Sequence, residues 1–194
     1  MSFYPNVIEK TGRGSKTYDL ATKLFEDRTV FLSGPVNDAS ADSVIMQLLW
    51  LKASDPNEDV NLYIKSPGGS VIDGQAIKNV IDNLNEVGCR VNTIGIGQCC
   101  SMGAYLLAAG TGTRTALPDC RIMIHSVLGG FEGSYHDMKP NYQEIEYLQN
   151  KVIEQMAGFT KGKTSVEEMK ALCERDNFMN PEKALEIGLI DTLG

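Results

Sequence analysis

The chain has 194 residues, of which 42% are hydrophobic and 22% charged, and a formal net charge of -7. Those values fit one globular domain with a sizeable core and an ordinary soluble composition, and no apolar stretch reaches the length of a membrane span. The acidic balance excludes nucleic acid and anionic membrane surfaces as electrostatically favoured partners.

Residues 1–17 are polar, carry Gly12 and Gly14, and have no periodicity, so they predict a flexible N-terminal arm. The start, "MSFYPNVIEK", has no basic n-region and no apolar h-region, and no secretory signal is expected. "YDLATKLFEDR" places Leu20, Leu24 and Phe25 at helical spacing. "TVFLSG" predicts a short buried strand. Val44, Leu48, Leu49 and Leu51 predict an amphipathic helix over 41–53, with Asp38 or Ser40 as its cap. "DVNLYIK" predicts the next strand, broken by "SPGGS", and 71–84 returns to helical period. "RVNTIGIG" predicts a strand, 101–109 an apolar helix, and "RIMIH" a further strand.

"LGGFEG" predicts a Gly-rich turn. Residues 137–159 predict one long helix with Ile145, Leu148, Val152, Ile153 and Met156 on one face. That stripe has no evident partner in its own core, which points to burial against another chain. "SVEEMKALCERD" opens with a capping box at Ser165 and Glu168, and "NPEKALEIGLID" closes the chain with a helix. Strands alternating with helices predict an α/β fold, mostly parallel, with right-handed crossovers. No linker or repeat interrupts 1–194, so a single domain is expected.

The five cysteines are odd in number, none shows C-x-x-C spacing, and a Cys99–Cys100 disulfide would be strained. Reduced thiols and a cytoplasmic location follow as expectations. Two histidines limit the chemistry. His125 ends a predicted strand; His136 lies in the polar "GSYHDM". Neither has clustered ligand neighbours, so no metal and no cofactor are expected.

Ser101 stands where a strand turns into a helix, in "IGQCCSMGAYLLAAG". A serine there is an N-cap or a nucleophile. Free N–H groups at a helix start can hold an oxyanion, which serves the second reading. "KSPGGS" is a second strand-to-helix junction, whose glycines turn an N–H inward or simply make a turn. Ligands of α/β sheets bind outside the carboxyl ends of strands, where Ser101, His125 and the glycines all fall. Asp176 is one candidate among many carboxylates to orient a histidine. Residue patterns alone leave that third member open.

"SPGGSVIDG", "GQCCSMGAYLLAAG", "RIMIHSVLGG" and "ERDNFMNPEKALEIGLID" together resemble the proteolytic subunit of the Clp protease (ClpP). The likeness runs nearly end to end. The resemblance implies a crotonase-like ClpP fold and an ATP-dependent serine endopeptidase cleaving unfolded polypeptides. It implies two stacked seven-membered rings, fed by an AAA+ unfoldase. Ser101 would be the nucleophile, His125 the general base and Asp176 the residue that orients it. Gly69 and Met102 would supply oxyanion N–H groups. A protruding "handle" helix over 137–161 would interlock the rings, and Glu174 and Arg175 match a polar pair that contacts across them. The competing readings are a catalytically inactive structural subunit of a mixed Clp ring and a crotonase-type acyl-CoA enzyme.

Several positions depart from the family pattern. Cys99 and Cys100 replace two alanines before Ser101, so Cys100 is an oxidation liability or a small buried hydrophobe. The usual His-Gln-Pro is His125-Ser126-Val127, a change expected to alter substrate docking. The segment around "NEVGCR" is longer by a few residues. In the unfoldase-docking cleft Tyr63 and Ile94 match, whereas Asn61 and Thr115 stand where aromatic or aliphatic residues are common. The end at Gly194 falls short of the usual C-terminal tail. A weakened unfoldase contact is the expectation.

Overall fold

In the computed structural model, which describes residues 5–12 and 14–194, the chain begins with a β-hairpin. β1 (Asn6–Thr11) pairs antiparallel with β2 (Gly14–Asp19). The stretch expected to lack regular structure over 1–17 therefore carries a ladder; residues 1–4 and 13 lie outside the described residues. The period-2 signal is absent because no β2 residue is buried, so neither face selects apolar side chains. α1 (Leu20–Glu26) follows, capped by the Asp19 carboxylate, which accepts the Thr22 N–H at 2.9 Å.

An alternation then builds the sheet: β3 (Thr29–Ser33), α2 (Asp38–Ser54), β4 (Val60–Ser66), α3 (Val71–Asn85), β5 (Val91–Cys100) and α4 (Met102–Ala108). The cap of α2 is Asn37, not Asp38 or Ser40. Asn37 Oδ1 accepts the Ser40 N–H, and the Ser40 hydroxyl accepts the Asn37 N–H. Ala41, Val44, Leu48 and Leu51 form the buried stripe, and Leu49 faces out. Arg28 closes the far end of α2. Its guanidinium donates to the carbonyls of Leu51, Asp55, Glu58 and Asp59.

The remaining elements are β6 (Arg114–Ala116), β7 (Arg121–Ile124), α5 (Tyr135–Phe159), α6 (Val166–Leu172), β8 (Asn177–Met179), α7 (Pro181–Ile187) and β9 (Thr192–Leu193). Strands β3, β4, β5, β6 and β9 run parallel in that order, and β7 pairs parallel with β5. Among the described residues only β8, on β7, is antiparallel in this sheet. The fold is α/β with a mostly parallel sheet, as the alternation predicted. β6, β8 and β9 are too short to show a period.

β5 is the pivot of the sheet. Its first half pairs with β6 at Thr93–Gly95, and its last three residues pair with β7 at Gln98–Cys100. The chain leaves β5 beside the end of β7. Beneath it, Leu32, Leu62 and Ile64 pack in one buried cluster with Ile77, Ile81 and Leu106 of the covering helices. Burying each such side chain contributes about 1.5–3 kcal/mol.

α5 runs Tyr135–Phe159, two residues earlier at each end than the 137–161 handle. Ser134 caps it by accepting the Asp137 N–H, and Thr160 ends it. Its length is roughly 37 Å at 1.5 Å per residue. Its two halves differ. Val152, Ile153 and Met156 are buried within their own chain, so this part of the stripe does not await a partner. Ile145 and Leu148 are half-buried, while Tyr142 and Tyr147 are exposed. Among the described residues no helix is long and apolar enough to cross a membrane.

Candidate active site

Ser101 joins the end of β5 to the start of α4 with φ 54° and ψ -122°. This backbone region is rarely used by a residue with a side chain, and it costs on the order of 1–3 kcal/mol. The Ser101 N–H is tied to Met123 O at 2.7 Å, which fixes the turn against β7. The hydroxyl makes no capping hydrogen bond to α4. Of the two readings of a serine at this junction, the N-cap is therefore set aside by the geometry. The hydroxyl oxygen lies 2.9 Å from His125 Nε2 instead.

His125 is the residue after β7, with a side chain 12% exposed. Its Nδ1 faces Asp176 Oδ1 at 3.3 Å. Asp176 stands just before β8, and the antiparallel pairing Ile124↔Asn177 sets the two residues across from one another. This explains why spacing alone left Asp176 unassigned: a three-residue strand brings it in. Its side chain is 65% exposed, and Glu174 and Arg175 beside it are exposed too.

The "SPGG" turn is built around the serine. Gly68 has φ 94°, and a Cβ there would fall 2.5 Å from Ser101 Cβ. Gly69 has φ 152°, and its Cβ would meet Val36 O at 2.1 Å. Only glycine satisfies both positions. Val36 N–H donates to Gly68 O and Ser70 N–H to Val36 O, an arrangement that leaves the Gly69 N–H outside the bridge. Met102 is the first residue of α4, so its N–H has no acceptor within the helix. Gly69, Ser101, Met102 and His125 all line one cavity of about 250 Å³. Val71, Tyr105, Val152 and Met156 make its apolar floor.

That floor was not legible as a site. The periodicity marked Val152 and Met156 only as part of an apolar stripe. A polar contact supports it from below: Tyr105 donates to Gln155 Oε1 at 2.9 Å, and Gln75 Nε2 does so at 3.4 Å. Burial raises the Tyr105 phenol above its usual range and keeps it a neutral donor.

The cysteines before Ser101 are both buried. Cys100 is 7% exposed, and burial pushes its thiol up, with the neighbouring Cys120 sulfur adding to it and Arg121 opposing. Cys99 and Cys120 are buried with their sulfurs 3.9 Å apart. Contact with the Cys120 sulfur and burial together keep the Cys99 thiol protonated. Of the two readings of Cys100, the small buried hydrophobe fits. Among the described residues no cluster of three or more metal-ligating side chains occurs.

His136 follows the first residue of α5, away from this cavity, and its ring meets Tyr135 edge-on. Tyr63, Ile94 and Thr115 fall in one register row across β4, β5 and β6, with Phe31 of β3 stacked on Tyr63 at 5.3 Å. Asn61 lies one step back on the same face, where its Oδ1 accepts from Asn92 Nδ2 at 3.1 Å. All four positions named for the docking cleft are half-buried. The "NEVGCR" segment takes in the last residue of α3 and the surface turn after it, with Val87 exposed and Cys89 buried.

The arrangement supplies an unblocked hydroxyl, an imidazole within reach, a carboxylate behind it, and two N–H groups that neither the Val36 bridge nor the helix uses, at a largely apolar cavity. Such a set suits acyl transfer from an amide or ester. A family model described as Clp protease matches residues 12–194.

Proposed function

The chain belongs to the Clp protease family, and we propose that it is a serine endopeptidase that cleaves unfolded polypeptides within an assembly of two stacked heptameric rings. The observation that carries this reading is the Ser101 hydroxyl, which caps nothing and lies 2.9 Å from His125 Nε2. In the proposed reaction Ser101 Oγ attacks the scissile carbonyl carbon while His125 Nε2 takes its proton. The carbonyl oxygen becomes an oxyanion, received by the N–H groups of Gly69 and Met102. Asp176 holds Nδ1 of the ring and stabilises the imidazolium. The tetrahedral species collapses, the C–N bond breaks, and the imidazolium gives its proton to the leaving amine. Water then hydrolyses the acyl-enzyme with the same base.

Assembly is supported by the exposed first half of α5, with Tyr142 59% and Tyr147 55% exposed. It is supported also by Glu174 and Arg175 lying open beside Asp176. An AAA+ unfoldase is the proposed feeder, engaged through the sheet face that carries Phe31, Tyr63 and Ile94. Hydrolysis of a short fluorogenic peptide by the wild type and by Ser101→Ala tests the reading. Turnover by the wild type alone is expected; equal rates would remove Ser101 from the chemistry.

A further inference from the structure

Beyond His125 the chain runs through residues 126–133 with no helix or strand to hold it. This segment is nevertheless a wall of the cavity, through Ser126, Val127 and Leu128. Among the described residues a single hydrogen bond reaches it. The Val127 N–H donates to Gln149 Oε1 at 2.5 Å. Gln149 projects from α5, and Gly129 and Gly133 of the segment lie against the same helix. A Cβ on Gly129 would come within 2.3 Å of Ile145 Cδ1, so the backbone there lies flat on the same helix.

We propose that Gln149 is a positioning residue, which ties the wall after His125 to α5 and so sets the shape into which the substrate chain docks. The proposal rests on the peptidase reading above. A backbone N–H must find an acceptor, and water would serve as well as a side chain at an open wall. The side-chain acceptor adds direction: it fixes Val127 to one helix. Leu128, 79% exposed, stands at the cavity's rim beside the tether. Ser101 and His125 do not depend on this contact, because β5, β7 and the Met123 carbonyl place them. The tether should therefore act on substrate binding and not on the nucleophile.

That division gives the test. Steady-state kinetics on a short peptide are compared with the rate at which a small fluorophosphonate labels Ser101. Gln149→Leu and Gln149→Ala should each raise KM by about three- to ten-fold, the worth of one such hydrogen bond. Both should leave kcat and the labelling rate within two-fold. Gln149→Glu keeps an acceptor oxygen and should restore KM. Proline has no N–H, so in a Val127→Pro background Gln149→Leu should change KM less than two-fold. Wild-type KM in both truncations would overturn the tether, as would a full further loss in the Val127→Pro background. So would a labelling rate that falls as far as kcat/KM, since that marks a general structural defect. A wild-type protein that neither hydrolyses peptide nor labels would overturn the peptidase reading instead.

Discussion

Ser101 heads a helix without capping it: its hydroxyl oxygen lies 2.9 Å from His125 Nε2, while the Met102 N–H, at the first helical position, has no acceptor within the helix. An N-cap serine would spend its oxygen on the helix, and here the oxygen is kept for the imidazole. The strained backbone at φ 54° is the cost of that orientation.

The strain should be measurable. Replacing Ser101 by Ala keeps the Cβ and loses no cap, so stability should change by less than about 1 kcal/mol. Ser101→Gly removes the Cβ that makes φ 54° unfavourable. It should exceed Ser101→Ala in stability by roughly 1 kcal/mol, after the greater chain entropy of glycine is allowed for. Denaturant unfolding of the two variants compares them directly. Equal midpoints would mean that the turn stores no strain.

The three side chains of the site should not be equal in effect. On the proposed reaction Ser101→Ala and His125→Ala would each remove a group that touches the reacting atoms, and kcat should fall by on the order of 10⁴ or more. Asp176 sits at 3.3 Å and is 65% exposed, so water can replace part of its role. Asp176→Ala should fall by about 10²–10⁴ and remain measurable. An Asp176 variant as dead as Ser101→Ala would show that this carboxylate is more tightly engaged than 3.3 Å implies.

Acid stability should report on Asp191. Arg114, almost fully buried, reaches its carboxylate through Nε at 2.8 Å and Nη2 at 2.7 Å, and Lys161 adds a contact at 3.0 Å. The Arg114 hydrogen bonds, with Lys161 adding, hold the Asp191 carboxyl well below the usual carboxylate range, against a smaller opposing effect of burial. A folded-state value below the unfolded one stabilises the protein above about pH 4 and is lost as pH falls through the folded value. Asp191→Asn leaves a buried guanidinium without its counter-charge and should cost roughly 3–5 kcal/mol at pH 7. The gap between wild type and Asp191→Asn, measured by urea unfolding, should narrow below pH 4. A gap that stays constant with pH would contradict the ion-pair account.

The thiols should be protected in the folded state. All five cysteines are buried, and burial pushes Cys173 up to about 11. Iodoacetamide at pH 8 should leave peptide turnover intact, with adducts on all five cysteines appearing only after unfolding. Rapid native labelling of Cys100 with loss of activity would restore the oxidation-liability reading.

The sheet face around Tyr63 makes a separate prediction. Thr115 stands in the Phe31–Tyr63–Ile94 row where a larger apolar side chain would extend it. Asn61→Tyr with Thr115→Phe should strengthen unfoldase binding. Each fully buried anchor is worth about 1.5–3 kcal/mol, or ten-fold and more in affinity. The loss of the Asn61–Asn92 bond costs fold stability, not affinity. Peptide turnover should not change. An affinity titration with no gain in the double variant would show that docking uses other residues.

The alternation of strands and helices was legible because β3, β4 and β5 bury alternate residues and their helices bury one face. Ser101 and His125 could be located at strand ends for the same reason. Asp176 could not, since the three-residue β8 that positions it has no period to read. The N-terminal hairpin was missed because none of its described side chains is buried, so no period-2 face stands out. The cavity floor was hidden differently. Val71, Tyr105, Val152 and Met156 come from three helices, and each reads as ordinary core in its own segment. The resemblance to the Clp proteolytic subunit named Gly69 and Met102, but residue types alone did not separate them from a plain turn and a plain helix start.

The central claim is that Ser101 is a nucleophile activated by His125. The most direct measurement is the mass-mapped adduct after treatment of the native protein with a fluorophosphonate. One adduct per chain is expected, on Ser101, absent from His125→Ala and from the heat-unfolded protein. An adduct on another residue, or none on a correctly folded chain, would contradict the account.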